Sequence, residues 1–245
     1  MREPEDKDNR LRTGQHIVVK NALPEKYIKR LENVTDKLLT IKSRPRYISE
    51  EELLGTDAIR RYERAGLGNI FEKAKPWIKD LIGTNWLILS HKVLLRRTWP
   101  ISESKARNLG HNASNLTWHQ DSNDKHQNKP MIVLMVSLQD GAGISRPGLS
   151  ILDKKTEQFE GIFGYEGNRV DEFEEKMRGQ DGQFNVVNPI LNRGDLLIFD
   201  GLTFHRTYST EKMTGHRDAL LVRLVKPQDR HNFPAGNHCV VKSRH

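Results

Sequence analysis

Residues 194–209, GDLLIFDGLTFHRTYS, decide the fold class of this chain because they contain two short β-type runs joined by a turn. A Gly-Asp pair precedes the apolar run LLIF and an Asp-Gly pair follows it, and both pairs are typical of turns. The second turn places His205 at a defined position on the next strand. The segment therefore predicts antiparallel β structure rather than a βαβ unit.

Similar β-type runs continue from about residue 85 onward, separated by turn residues instead of helices. Eight such runs are visible, which is enough for a jelly roll. We therefore expect a mainly β fold, a sandwich or barrel with N-terminal α-helices, whose core domain is 85–245. The predicted strands lie at 86–99, 115–121, 129–140, 148–153, 184–191, 195–200, 203–209 and 217–225.

Residues 1–84 are predicted to form a helical extension that packs on this core, after a polar start at 1–14. Apolar residues recur at helical spacing in 24–40, which predicts an amphipathic helix. Two further helices are expected at 50–66 and 68–83, the second ending or bending near Pro76. The charged insert 154–182 contains a fourth helical pattern, VDEFEEKMR, and is either a lid over a site or a surface helix that covers one sheet.

Composition limits the partners that this chain can have. The formal net charge is +8, but 40 basic and 32 acidic residues are interleaved, which predicts a mixed solvated surface and no nucleic-acid partner. The single cysteine, Cys239, excludes an internal disulfide and suits a reducing compartment. No apolar run is long enough to span a bilayer, and the polar start lacks the apolar core of a signal peptide. We expect a soluble, cytoplasmic monomer or homodimer that binds a small molecule and no membrane.

The motif His119-Gln120-Asp121 carries two metal-ligating side chains on one face of a strand, because side chains alternate with a period of two. His205, on a later strand, supplies a third ligand if it returns to the same cavity. Two histidines and one carboxylate form the facial triad of non-haem iron(II) sites, which leaves positions open for a co-substrate and dioxygen. The sequence therefore predicts that His119, Asp121 and His205 bind iron.

A lone H-x-D pair is weak evidence, and residues 216–218, HRD, are a second one. Too few residues follow Asp218 to build a barrel around it, and no Gly-rich loop supports a kinase-like interpretation of H-R-D. Several predicted strands separate the first pair from His205, which favours the first pair. His111 and His126 stay open as alternative ligands.

Arg217 is the predicted anchor for a co-substrate. It begins a strand that follows His205 after a turn, and its guanidinium can hold a dicarboxylate by a two-point fork. Arg206 adjoins His205 and so faces away from the metal. Arg223 shares the face of Arg217 but lies about 20 Å further along the strand, which predicts a position at the other end of the barrel.

Smaller side chains near the predicted metal are further candidate contacts. Thr117 and Thr207 are expected to contact the co-substrate, and Thr203 and Arg146 the substrate. Arg146 would favour a substrate that carries a carboxylate or phosphate. Asp200 is assigned to the turn or to supporting a ligand, and not to the metal itself.

In five segments the chain resembles the phytanoyl-CoA dioxygenase type of iron(II)- and 2-oxoglutarate-dependent oxygenase. The resemblance implies a double-stranded β-helix, a cupin-like jelly roll, with His119, Asp121 and His205 on iron and Arg217 on the distal carboxylate of 2-oxoglutarate. It implies Fe(II), 2-oxoglutarate and O2 as cofactor and co-substrates of a dioxygenase, supported by ascorbate. The segments follow the family's order: WHQD at 118–121, MIVLMVSLQDG at 131–141, RPGLSILDKK at 146–155, GDLLIFDGLTFHRT at 194–207 and RDALLVRL at 217–224.

One departure from the family pattern concerns 146–159, RPGLSILDKKTEQF, where the family has Gly-Pro-Leu and later a Pro-Gly-Ser-His loop. That loop lies near the substrate in the family, so the substrate's identity does not carry over. Because related halogenases carry a small residue at the position of Asp121, the resemblance implies hydroxylation or another oxidation rather than halogenation, and we expect hydroxylation of an unactivated C–H bond. Two other classes stay open: a cupin-like metal enzyme that uses no 2-oxoglutarate, and a non-catalytic β-sandwich binding module.

Overall fold

The computed structural model describes residues 15–39, 47–48, 66–82, 85–89, 94–106, 116–122, 131–154, 156, 170–181, 185–232 and 238–242. No helix within these ranges is long and apolar enough to cross a membrane. In chain order the elements are β1 (His16–Val19), α1 (Glu25–Leu39), β2 (Tyr47–Ile48), α2 (Leu67–Ile82), β3 (Asn85–Leu89), β4 (Leu94–Thr98), α3 (Ile101–Ala106), β5 (Met131–Ser137), β6 (Gly148–Leu152), α4 (Val170–Asp181), β7 (Val186–Val187), β8 (Leu196–Asp200), β9 (His205–Tyr208), β10 (Arg217–Val225), a 3-10 helix (Pro227–Asn232) and β11 (His238–Lys242).

The strands form two antiparallel sheets. The major sheet has eight strands in the order β1-β8-β5-β10-β3-β11, with β4 paired to β10 and β2 paired to β4. The minor sheet has three strands in the order β7-β6-β9. The prediction of a mainly β fold with few helices is confirmed.

Side-chain alternation gives the major sheet two packing faces. Even-numbered residues of its central strands, such as Leu134 and Ile198, pack against α1 and α2. Odd-numbered residues such as Met135 and Phe199 face the minor sheet, where they pack against Ile151. Strand β5 is buried on both faces, which explains its unbroken apolar sequence. The odd-numbered face is therefore the one that packs toward the minor sheet.

The two long N-terminal helices cover the other face of the major sheet. Helix α1 is amphipathic as predicted, and Ile28 and Leu31 are buried in this layer. Helix α2, predicted to end or bend near Pro76, does not end there but continues to Ile82; a bend at Pro76 stays a prediction. Ala74 and Ile78, on either side of the proline, are both buried in the same core, and this packing keeps the last turn helical. The helix predicted at 50–66 lies, apart from Gly66, outside the described residues.

Strand β1 extends the major sheet from the N-terminal side and is absent from the sequence prediction. It pairs with β8, and its following loop approaches the turn before β8, where the Leu23 amide donates to the Gly194 carbonyl at 3.1 Å. Gly194 has φ +81°, and a Cβ there would lie 2.8 Å from the Leu23 carbonyl oxygen. The close approach thus requires glycine. The range 1–84 contributes β1 and β2 besides helices, and the domain division at residue 84 stays a prediction.

Helix α4 packs on the outer face of the minor sheet. Phe173 and Met177, which share one helical face as their spacing predicted, contact a buried cluster with Trp118, Leu152 and Phe204. This contact supports the interpretation of a helix that covers one sheet. The lid interpretation of 154–182 stays a prediction, because 157–169 lie outside the described residues.

Candidate metal centre

Backbone pairing brings His119 and His205 together. The His119 amide donates to the His205 carbonyl and the His205 amide donates to the His119 carbonyl, each at 3.0 Å. The two ring centroids are 4.2 Å apart. The strand predicted at 115–121 is corrected to a single bridge within an irregular segment. The segment leaves the ladder because the Ser122 amide and the Gln120 side chain bond to the turn after β8 instead.

The residues beside the two histidines point away from them. Trp118 and Phe204 are buried under α4. The Trp118 Nε1 donates to Glu174 of α4 at 3.1 Å, and Arg206 forms an ion pair with the same carboxylate at 3.4 Å. The predicted alternation is therefore confirmed in both segments. The two imidazoles lie against each other, and that of His205 also lies against Phe199 of the major sheet.

Both histidines are held in the tautomer that binds metal through Nε2. The Nδ1 of His119 lies 2.7 Å from the Thr117 carbonyl oxygen, and the Nδ1 of His205 lies 3.0 Å from that of Thr203. A carbonyl oxygen only accepts, so each Nδ1 carries the proton and each Nε2 keeps its lone pair. Burial lowers the pKa of His119 to about 3 and also lowers the pKa of His205. Both rings are neutral at neutral pH, as metal ligation requires.

Asp121 presents one oxygen to the histidines and the other to an arginine. Its Oδ1 accepts from Arg223 Nη2 at 2.7 Å. Its Oδ2 is buried 3.9 Å from His205 Nε2 and has no hydrogen-bond partner among the described residues. Burial acts to raise the pKa of Asp121, but Arg223, followed by His205, holds that pKa below its usual value. A buried carboxylate oxygen that accepts no hydrogen bond lowers the stability of the fold unless a cation binds to it.

The three side chains form a cluster that fits a metal ion. One ligand atom from each of His119, Asp121 and His205 lies within 4.8 Å of the other two. Bonds of about 2.0–2.2 Å to a common ion place neighbouring ligand atoms about 3–3.5 Å apart, so binding of an ion would draw these three atoms closer together. Two neutral imidazoles and one carboxylate suit a divalent transition metal with positions left open.

Arg217 is a buried cation with unused donors in the same region. Its Nη2 donates to Thr98 Oγ1 at 3.2 Å, whereas Nε and Nη1 have no partner among the described residues. Burial, followed by the charge of Arg96, lowers the pKa of Arg217 to about 9, so it stays charged at neutral pH. Arg96 also lowers the pKa of both histidines, which places Arg217 and the metal cluster within electrostatic reach of one side chain. The cluster can therefore bind a metal, and Arg217 can bind an anion.

The chain shares its fold with solved non-heme α-ketoglutarate-dependent enzymes. The SnoN epimerase from nogalamycin biosynthesis is 16% identical with a TM-score of 0.57, over 88% of this chain and 79% of that chain. The SnoK carbocyclase from the same biosynthesis is 11% identical with a TM-score of 0.58, over 86% and 79%. HygX from Streptomyces hygroscopicus, solved with nickel and 2-oxoglutarate bound, is 13% identical with a TM-score of 0.57, over 88% and 83%.

Identities this low show a shared fold and nothing finer. No family model matches the sequence, and no curated protein matches it. The comparisons thus show a shared mainly β fold, whereas the double-stranded β-helix and the phytanoyl-CoA dioxygenase type stay predictions.

The structure corrects the predicted place of Arg223. This residue contacts Asp121 directly and is not at an end of the sheet remote from the metal ligands. The distance along β10 between Arg217 and Arg223 is as expected, but the metal ligands lie at the Arg223 end. The contact arises because β10 returns alongside the strands that carry the metal ligands after the turn at 209–216.

The remaining predicted contacts have partners within the protein. Thr117 and Thr203 orient the histidine rings through their carbonyls. Thr207 Oγ1 accepts from the Leu116 amide at 3.2 Å, and Arg146 Nη1 donates to the His216 carbonyl at 2.5 Å. The roles of these four side chains toward a co-substrate or substrate stay predictions. His111 and His126 lie outside the described residues.

Asp200 shapes the turn before His205, and it does so at a cost in stability above pH 6. Its Oδ1 accepts from the Leu202 amide at 2.7 Å. Burial raises the pKa of Asp200 to about 6, although the Leu202 bond opposes this. Because the unfolded value is about 4, the folded state binds the proton more tightly, and stability falls as pH rises from about 4 to about 6.

The variant Asp200→Asn is therefore expected to raise the free energy of unfolding by about 1–2 kcal/mol at pH 7.5. The asparagine oxygen can still accept from Leu202, so the turn is kept. Chemical denaturation at pH 7.5 and at pH 4 measures the difference. The gain should shrink toward zero at pH 4, and a gain of the same size at both pH values would contradict the assignment.

Proposed function

We propose that this chain is a non-haem Fe(II)- and 2-oxoglutarate-dependent dioxygenase with a double-stranded β-helix core. The observation that carries the proposal is the presence in one fold of the His119-Asp121-His205 cluster, in which His205 is buried and the other two are partly buried, and of the unused buried donors of Arg217. A cluster of this composition suits a ferrous ion. An arginine fork suits the distal carboxylate of a dicarboxylate co-substrate.

Each of these residues has one task in the proposed enzyme. His119, His205 and Asp121 would hold iron, which when bound supplies the activation of dioxygen. Arg217, supported by the Thr98 hydroxyl, would bind and orient 2-oxoglutarate. Phe199, whose ring centroid is 4.8 Å from that of His205, excludes water from one side of the cluster. The protein thus binds, orients and shields, and the reactive chemistry belongs to the metal.

The proposed reaction is hydroxylation of an unactivated C–H bond in a small metabolite, which would be anionic if Arg146 contacts it. The presence of a carboxylate at Asp121 supports hydroxylation over halogenation. Proteins of this fold include an epimerase and a carbocyclase, so the fold by itself leaves the product open. Location in the cytoplasm and a monomeric or homodimeric state stay predictions.

The direct test is metal and co-substrate dependence of the purified protein. Protein supplied with Fe(II), ascorbate and 2-oxoglutarate is expected to bind one iron per chain and to release succinate, with faster release when a metabolite pool supplies the substrate. Omission of 2-oxoglutarate should stop oxygen consumption. A protein that binds no iron, or that consumes oxygen equally without 2-oxoglutarate, would exclude the proposed function.

A further inference from the structure

Arg223 makes a contact that the proposed function does not use. Its Nη2 donates to Asp121 Oδ1 at 2.7 Å, and each of the two side chains is only 9% exposed. Its Nε and Nη1 have no hydrogen-bond partner among the described residues. Among the described residues, Asp121 is therefore the hydrogen-bond partner of this guanidinium.

The contact divides the two oxygens of Asp121 between two tasks. Oδ1 is bound to Arg223, whereas Oδ2 is buried without a donor, 3.9 Å from His205 Nε2. A carboxylate without such a partner can bind a metal through both oxygens. Two-oxygen binding would fill one of the three positions that a facial triad leaves open.

The backbone fixes Arg223 in this place. Strand β10 is paired on both sides, and Arg223 lies opposite Val133 of the buried central strand β5. The base of the side chain therefore cannot follow Asp121 if that carboxylate rotates. A donor held by a sheet in this way restricts the rotation of the acid it binds.

We infer that Arg223 is a positioning residue that keeps Asp121 a one-oxygen metal ligand and so keeps a coordination position open for 2-oxoglutarate. The inference rests on the proposed function, because it requires a metal on His119, Asp121 and His205. It goes beyond that function by assigning a role to a side chain outside the ligand set and the co-substrate anchor.

Metal affinity alone is a poor test of this role. Removing Arg223 removes a positive charge, which favours a cation, and it also frees Asp121, which loosens the site. The geometry of the bound metal is more informative. Co(II) is a suitable probe because its visible absorption depends on the number and arrangement of its ligands.

In the Co(II)-loaded full chain, Arg223→Met is expected to change the visible spectrum before any co-substrate is added. The dissociation constant of 2-oxoglutarate should rise at least about tenfold, the size typical for loss of a residue that supports a ligand. Arg223→Lys, which keeps a donor and the charge, should restore the wild-type spectrum. Circular dichroism checks folding, and Arg223→Gln, whose amide is too short to reach Asp121, replaces the Met variant if that variant unfolds.

Arg217→Met is the matched control, because it removes a buried arginine from the same face of the same strand. It should weaken 2-oxoglutarate binding and leave the Co(II) spectrum of the co-substrate-free protein as in the wild type. A wild-type spectrum in Arg223→Met, or the same spectral change in both variants, would overturn the inference while leaving the proposed function intact. A wild-type protein that binds no Co(II) would remove the proposed function and the inference together.

Discussion

His205→Ala is expected to lose bound iron and to lower 2-oxoglutarate-dependent oxygen consumption by more than about a hundredfold. Removal of a residue that only supports a metal ligand typically costs 10–100-fold, and His205 is proposed to be a ligand itself. The deleted imidazole is buried, and its Nε2 faces Asp121 at 3.9 Å. Elemental analysis and an oxygen electrode measure the two losses.

His216→Ala is the matched control for this substitution. His216 belongs to the second H-x-D pair of the sequence and packs against Trp99 at 5.0 Å between ring centroids, and its Nε2 lies 3.5 Å from Asp218 Oδ2. Its loss should leave the iron content at one per chain. If His216→Ala loses iron while His205→Ala retains it, the metal has been assigned to the wrong pair.

Arg217→Leu is expected to abolish measurable binding of 2-oxoglutarate while the protein still binds iron. Truncating one partner of a buried charge pair costs about 2–5 kcal/mol, which corresponds to a loss of at least about 30-fold in affinity. The loss should appear in the dissociation constant of 2-oxoglutarate, measured by calorimetry on the anaerobic metal-loaded protein.

Arg30→Leu provides the same chemical change at an exposed position. Arg30 lies on α1, which covers the opposite face of the major sheet from Arg217. The Arg30→Leu variant should bind 2-oxoglutarate as the wild type does. Unchanged binding in Arg217→Leu would contradict the role of Arg217 as the co-substrate anchor. Metal-dependent turnover that Arg217→Leu leaves unchanged would favour a metal enzyme of the same fold that uses no 2-oxoglutarate.

The metal cluster could be predicted from the sequence because alternation is a local property. His119 and Asp121 share a face at a spacing of two, and the turn at Asp200 sets the height of His205. Both features survive although residues 116–122 form only one bridge and no regular strand. Tertiary contacts changed the secondary structure without changing which side chains point inward.

Other elements could not be predicted because their causes lie far away in the sequence. The four residues of β1 carry no recognisable period and become a strand through pairing with β8. Pro76 is a local signal for a helix end, but Ala74 and Ile78 on either side of it are buried in the core, and this packing keeps the segment helical. The contact between Arg223 and Asp121 could not be predicted either. Residue spacing gives the distance between Arg217 and Arg223 along β10, but it does not show which of the two lies next to the metal ligands. That depends on how β9 of the minor sheet and β10 of the major sheet are arranged in space.

The most direct test of the central claim is a crystal structure of the protein soaked with Ni(II) and 2-oxoglutarate, with the metal located by anomalous scattering. The expected result is one metal peak within about 2.0–2.2 Å of His119 Nε2, Asp121 Oδ2 and His205 Nε2, with Arg217 bound to the distal carboxylate. A metal bound at His216 and Asp218, or no ordered metal between the two sheets, would contradict the account.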